Sequence, residues 1–329
     1  MYALNSYKKE VLLLDKGNFE NLALRIFHFQ SQNNPIYKQY LRLSGNNYKS
    51  IRNLNEISFL PIEFFKNNTI HSGQWTTEKT FLSSGTTGTS RSKHDVEDLG
   101  FYLNIASNIY EKNYNRIEET VFLALLPSYI EQGDSSLVAM LNHFISKSKF
   151  NYSGFYLNDY ENLIEKINLL QSKNIPTVLF GVTYALLDLA ENYEVDFSGI
   201  TIIETGGMKG RRQELSKEEI HNILSENLNV KNIHSEYGMT ELFSQAYALN
   251  DGIFNPPDSM KIIIRDINDP YNQVKTGKSG GVNIIDLANV HSCSFIETKD
   301  VGVKLENGQF KILGRFDNSD IRGCNLLVN

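Results

Sequence analysis

Very little in this chain of 329 residues could cross-link it. There are two cysteines, Cys293 and Cys324, without paired spacing or a nearby ligand cluster, which argues against a disulfide framework or a zinc site and for a reducing compartment. No apolar run approaches the ~18 residues of a membrane span. The opening Met-Tyr-Ala-Leu-Asn-Ser-Tyr-Lys-Lys-Glu lacks the basic-then-apolar layout of a signal peptide, so a cytoplasmic protein is expected. Positive charge is not in excess either. The formal net charge is -6, which argues against nucleic acid as a general partner, and any polyanion must be held locally. Internal repeats and long low-complexity tracts are missing. What remains is an ordinary globular composition, 41% hydrophobic and 21% charged, long enough for one large domain or two.

Against that background one stretch stands out, Phe81-Leu-Ser-Ser-Gly-Thr-Thr-Gly-Thr-Ser-Arg-Ser-Lys93, in which eleven of thirteen residues are hydroxylated, glycine or basic. Such a run is often only a flexible linker. It also has the chemistry of a phosphate cradle. Gly85 and Gly88 let the main chain turn tightly and bring N–H groups to an anion, Ser83, Ser84, Thr86 and Thr87 add hydroxyls, and Arg91 and Lys93 add charge. No lysine follows the second glycine, so it is not a Walker loop. From about Asp95 the pattern reads as a helix, whose positive N-terminal end would face the loop.

The rest of the chain sorts into three regions. Residues 1–75 read as a helical segment packed on the main domain, with Val11, Leu12, Phe19, Leu22, Ala23 and Phe27 at helical intervals. Residues 76–250 alternate short apolar runs with amphipathic stretches, the pattern of a mostly parallel α/β sheet covered by helices. Strands are expected at 121–126, 177–180, 199–203 and 232–235, and helices at 136–144, 160–171, 184–192 and 213–226. Ligands of such sheets bind beyond the carboxyl ends of the strands. Residues 251–329 read as a β-rich subdomain, with strands at 260–265, 281–286, 293–297, 302–305 and 309–313 and a hairpin turn at Glu306-Asn-Gly308.

Five stretches in order resemble the signatures of the adenylate-forming superfamily of acyl-CoA ligases, luciferases and adenylation domains. They are the Ser/Thr/Gly loop, Glu204-Thr-Gly-Gly-Met208, Tyr237-Gly-Met-Thr-Glu241, Thr298-Lys-Asp300 and Gly314-Arg-Phe-Asp317. Full-length members continue into a mobile domain, whereas this sequence stops at Asn329. The resemblance is therefore best to the acyl-protein synthetase family of bacterial luminescence systems, also through Ile233-His-Ser-Glu-Tyr-Gly-Met-Thr-Glu-Leu242, Asp286-Leu-Ala-Asn289 and Arg322-Gly-Cys-Asn-Leu-Leu327. It covers roughly Phe81 to the C-terminus.

That resemblance implies ATP-dependent activation of a long-chain fatty acid as acyl-AMP, with pyrophosphate leaving, then transfer of the acyl group to a cysteine and on to a partner such as an acyl-protein reductase. A carboxylic acid needs such activation because its leaving oxygen is an oxide, and the charge that builds up calls for placed donors and Mg2+. By resemblance Ser83, Ser84, Gly85, Thr86, Thr87, Gly88 and Lys93 hold phosphates, Thr240 donates, and Glu241 is the magnesium ligand. Gly206 and Gly207 follow an expected strand and, lacking side chains, would admit adenine with Tyr237 stacking on it, the alternative being a plain strand-end turn; Gly238 is also placed at the nucleotide, and the resemblance has Asp300 and Arg315 bind ribose or phosphate. Cys324, near Arg322 and Arg315, would carry the acyl group, because nearby cations favour the thiolate; free cysteines are equally often inert core, the reading given to Cys293. His234 is taken as an orienting group or general base, against the commoner structural histidine. Gly181-Val-Thr-Tyr184 and Tyr129 are candidate walls of the acyl pocket. Two other functions stay open: an acyltransferase that takes a preactivated donor without ATP, and a non-catalytic nucleotide-binding partner protein.

Overall fold

The computed structural model describes residues 2–15, 17–45, 48–83, 91–126, 134–206 and 215–316. Helices α1 (Tyr2–Leu12), α2 (Phe19–Asn33) and α3 (Pro35–Leu43) come first, then strand β1 (Leu60–Pro61) and the short α4 (Phe64–Asn67). Asn34 caps α3 by accepting from the Tyr37 N–H, and Pro35 occupies the position where no N–H is needed. The apolar faces of α2 and α3 bury Ile26, Phe27, Tyr37 and Leu41, and Phe27 and Tyr37 pack on Phe295 of the C-terminal sheet.

A hairpin of β2 (Lys79–Leu82) and β3 (Lys93–Val96) follows, and then α5 (Leu99–Asn113). The helix expected from Asp95 starts four residues later. His94 and Val96 are buried while Lys93 is exposed, the alternation of a strand, and the Asp98 carboxylate caps α5 through the Phe101 N–H. The hydroxyl-rich loop thus closes a hairpin and does not open a helix.

The α/β core runs β4 (Val121–Leu125), α6 (Ser136–Lys147), β5 (Gly154–Phe155), α7 (Tyr160–Ser172), β6 (Thr177–Val182), α8 (Thr183–Asn192), β7 (Thr201–Thr205), α9 (Lys217–Asn227) and β8 (Ile233–Tyr237). Every expected strand is present, three of them extended or shifted toward the carboxyl end. The start of α9 falls at Lys217 because Ser216 and Glu219 form a capping box there. Strands β4 to β8 are parallel, and β4 and β6 are buried on both faces.

The sheet does not stop at β8. It continues through β9 (Ala246–Ala248) and β10 (Phe254–Asn255) into β14 (Phe310–Arg315), β13 (Phe295–Lys304), β12 (Ser279–Asp286) and β11 (Met260–Arg265), all antiparallel, giving one twelve-stranded sheet of order β11-β12-β13-β14-β10-β9-β8-β7-β6-β4-β5, with β1 beside β13. The two strands expected at 293–297 and 302–305 are a single strand, so Thr298-Lys-Asp300 lies within it and not at a hairpin end. Cys293 is core, as expected, but sits in the turn before β13, and burial pushes its thiol up to about 12.

The core and the β-rich region are joined at Asp286. Its carboxylate, fully buried, accepts from the N–H groups of Phe243, Ser244 and Ala288 and from Ser244 Oγ. Replacing Asp286 by alanine leaves those donors buried without an acceptor, so Asp286→Ala is expected to lose about 3 kcal/mol or more of unfolding free energy, read from the denaturant midpoint.

Candidate functional site

Glu236 and Tyr237 end β8, and the register of that strand puts its side chains on two faces. Ser235 meets Lys217 and His221 of α9, at 3.3 and 3.2 Å, whereas His234 stacks on Tyr114 next to α5. Tyr237 shares the Ser235 face by alternation, and packs against Phe254 and Phe310.

Three expected nucleotide-binding residues meet at this strand end. Tyr237 Oη donates to Asp300 Oδ2 at 2.6 Å, and Asp300 lies across the β13–β14 ladder from Arg315, whose Nε is 3.4 Å from Asp300 Oδ1. Burial raises the Asp300 carboxyl above its usual range, with Arg315 and the Tyr237 hydroxyl acting the other way. Burial likewise holds the Tyr237 phenol far above its usual range, so at neutral pH it is a donor. The Arg315 side chain is 63% exposed, which leaves its guanidinium face open to a ligand.

The flanks of the hydroxyl-rich loop reach the same place. Ser83 N–H donates to Ser92 O at 3.0 Å, Ser92 N–H donates to Ser83 Oγ at 2.9 Å, and Arg91 Nε donates to Ser83 O at 2.5 Å. Glu241 is buried; burial raises its carboxyl, and a hydrogen bond from Ser92 and the charge of Arg315 oppose that shift. The pentapeptide and the loop's foot therefore lie close together. His94 adds a second tie, with Nδ1 2.8 Å from Thr240 O and Nε2 2.9 Å from Ser292 Oγ. Burial brings its pKa down to about 4, so the ring is neutral; since a carbonyl only accepts, Nδ1 carries the hydrogen and Nε2 accepts.

Not every expected site residue joins them. Ser84, Gly85, Thr86, Thr87, Gly88, Gly207 and Cys324, with Tyr129, lie outside the described residues. His234 sits one residue into β8, at the opposite end from Tyr237, with Nδ1 3.1 Å from Tyr114 Oη. Its expected strand-end position is corrected by the strand's running on to Tyr237. Lys93 faces outward across from Leu82 at the foot of the loop. Thr240 is half-exposed, and what it contributes internally is its carbonyl. Gly206 has φ +79°, a conformation that a side chain would strain. Gly238 has a different reason to lack one: a Cβ there would run into the Glu236 carboxyl.

Two glutamates went unnoticed as site candidates, although a carboxylate inside Thr201-Ile-Ile-Glu-Thr205 or Ile233-His-Ser-Glu-Tyr237 is itself a signal in strands buried by helices. Glu204 binds Lys217, accepts from Thr183 Oγ1 at 2.9 Å and lies 3.5 Å from His221 Nε2. Burial opposes its ionisation, but the Lys217 charge and hydrogen bonds from His221, Lys217 and Ser235 hold it down to about 2. Glu236, bonded to Thr205 Oγ1, has no ion pair among the described residues, and burial pushes it up to about 7.

For metal, the described residues contain no group of three or more His, Cys, Asp or Glu side chains able to hold an ion. A single buried carboxylate, Glu241, suits Mg2+ shared with phosphate oxygens, which needs only one or two protein carboxylates.

The parallel core and its antiparallel extension are those of the adenylate-forming-enzyme fold. Among solved structures, the chain is similar to 2-hydroxyisobutyryl-CoA ligase in complex with 2-HIB-AMP and CoA (15% identity, TM-score 0.68, 95% of this chain and 69% of that one). It is also similar to ATP-bound MatB from Rhodopseudomonas palustris (19%, 0.53, 76% and 49%) and to a double mutant of o-succinylbenzoate CoA synthetase, MenE, from Bacillus subtilis (17%, 0.54, 73% and 49%). The chain spans about half the length of MatB and of its chimeras. No protein-family model and no curated protein matches.

The Glu236 assignment has a pH signature. Between its ordinary value of 4.5 and about 7 the folded chain keeps a proton that the unfolded chain releases, so folding takes up a proton and stability falls as pH rises through that window. Denaturant midpoints taken at about pH 5 and about pH 8 are expected to drop less in Glu236→Gln than in the unsubstituted protein.

Proposed function

We propose that the chain activates a carboxylic acid as its acyl-adenylate at the expense of ATP and passes the acyl group to a thiol. ATP supplies the chemistry by lending the acid a phosphate leaving group in place of oxide. The observation that carries this reading is the junction of Tyr237, Asp300 and Arg315, with Glu241 and the His94–Thr240 tie close by. There an aromatic ring, a diol-accepting carboxylate, an open guanidinium and the foot of a hydroxyl-rich loop converge at the carboxyl ends of parallel strands.

Each residue's part follows from its chemistry. The Tyr237 ring offers a face for a purine while its hydroxyl orients Asp300. Asp300, with Oδ2 already engaged, can accept from a ribose hydroxyl, and Arg315 can donate to ribose or phosphate oxygens. Glu241 would hold Mg2+ where negative charge develops, and buried surroundings would strengthen that interaction. The fold of the acyl-CoA ligases, several of them bound to ATP or an acyl-AMP, supports this assignment. In the finer version of the proposal, from the resemblance to acyl-protein synthetases, Cys324 takes the acyl group and hands it to a reductase-type partner.

Exchange of labelled pyrophosphate into ATP, dependent on an added carboxylic acid, is the direct test. Asp300→Ala is expected to weaken ATP binding about ten- to hundredfold by removing a charged acceptor. Acylation from a preactivated acyl donor that proceeds without ATP, with no acid-dependent pyrophosphate exchange, would instead establish the acyltransferase reading. Intact-protein mass spectrometry of Cys324→Ala, expected to lack a stable acyl adduct, tests the acceptor.

A further inference from the structure

The face of β8 turned away from Tyr237 holds a group of buried polar atoms that the reaction described above does not use. Glu236 is 9% exposed; Thr205 Oγ1 donates to one carboxyl oxygen, and the other lies against Gly238. Directly across the β8–β9 ladder from Glu236 is Tyr247, fully buried, whose hydroxyl has no partner among the described residues. Beside them Gln245 leaves its Oε1 in the same condition, its Nε2 being spent on Phe243 O at 2.9 Å. Helix α5 and the residue that follows it cover the group: Tyr114 meets the Tyr247 ring edge-on at 5.3 Å, and Tyr102, bonded to Ser136 O, lies near enough to feel the Glu236 charge.

Buried polar atoms are costly unless partnered, and an unpartnered set next to a reaction site is the complement of a ligand's polar group. The Gln245 amide oxygen can only accept, and the Glu236 carboxyl and the Tyr247 hydroxyl can accept as well as donate. The missing partner is therefore a donor. The place fits an acid awaiting activation, since Thr205 and Glu236 lie one and two residues from Gly206 and Gly238. A long alkyl chain would leave these atoms unsatisfied, and the buried rings of Tyr102, Tyr247 and Phe243 narrow the space between α5 and the strands.

We propose that Glu236, Gln245 and Tyr247 select the acid, and that it is a short carboxylic acid carrying a hydrogen-bond donor, either a hydroxyl or an ammonium group. This rests on the adenylation reading, yet binding can be measured without turnover. Calorimetric titration of the full chain would compare butanoate, 3-hydroxybutanoate, 4-aminobutanoate and hexadecanoate, in the presence of ATP and in its absence. One of the two donor-bearing acids is expected to bind more than tenfold tighter than butanoate or hexadecanoate, and the better of the two identifies the donor. Glu236→Leu is expected to abolish that preference, and the near-isosteric Glu236→Gln, which keeps one acceptor, to retain part of it. Tightest binding of hexadecanoate, no binding of either donor-bearing acid, or an unchanged ranking in both variants overturns the proposal. Loss of pyrophosphate exchange with every acid while the binding preference stands would count against adenylation alone.

Discussion

The neutral ring of His94 is the tie on which the arrangement of the site depends. Its Nδ1–H holds the Thr240 carbonyl and its Nε2 receives the Ser292 hydroxyl, joining segments 146 and 198 residues away in sequence. Phe65 of α4, Phe243 and His291 pack around it at 5.6, 5.1 and 5.4 Å, and burial among these rings disfavours an imidazolium. Held this way, β3 brings the foot of the hydroxyl-rich loop to Glu241. A charged or smaller residue at 94 would release both partners at once.

Around that tie the molecule distributes its carboxylates by environment. Asp286 is surrounded by backbone donors and acts as a structural knot, Glu204 is neutralised by Lys217, and Asp300 is shared between a phenol and an arginine. Glu236 alone in this set has only a hydroxyl for company. Four acidic side chains of similar intrinsic acidity thus acquire different electrostatic states from their neighbours.

Much of the architecture was legible in the sequence because the parallel core reads as uninterrupted apolar runs such as Val121–Leu125, with amphipathic helices between. The resemblance likewise grouped Tyr237, Asp300 and Arg315, and the structure brings those three side chains together. What failed did so for local reasons. Lys93–Val96 is too short for its alternation to outweigh the helical pattern that follows, and the expected helix swallowed it. The break expected between 297 and 302 was drawn from the polar Thr-Lys-Asp, yet those residues stay in the ladder because Thr298 Oγ1 bonds Val282 O and Asp300 reaches Tyr237. His234 was misplaced along its strand by two residues, enough to send it to the other end. Contacts such as His94 to Ser292 leave no local trace, since their partners are brought together only by the fold.

The parity of β8 has a consequence for how the protein must fold. Odd-numbered positions serve one side of the sheet and even-numbered positions the other, so a slip of one residue against β9 would turn every β8 side chain to the opposite face. The turn at Met239–Leu242, closed by a hydrogen bond from Leu242 N–H to Met239 O and fastened by Asp286 just beyond it, acts as the index mark that forbids such a slip.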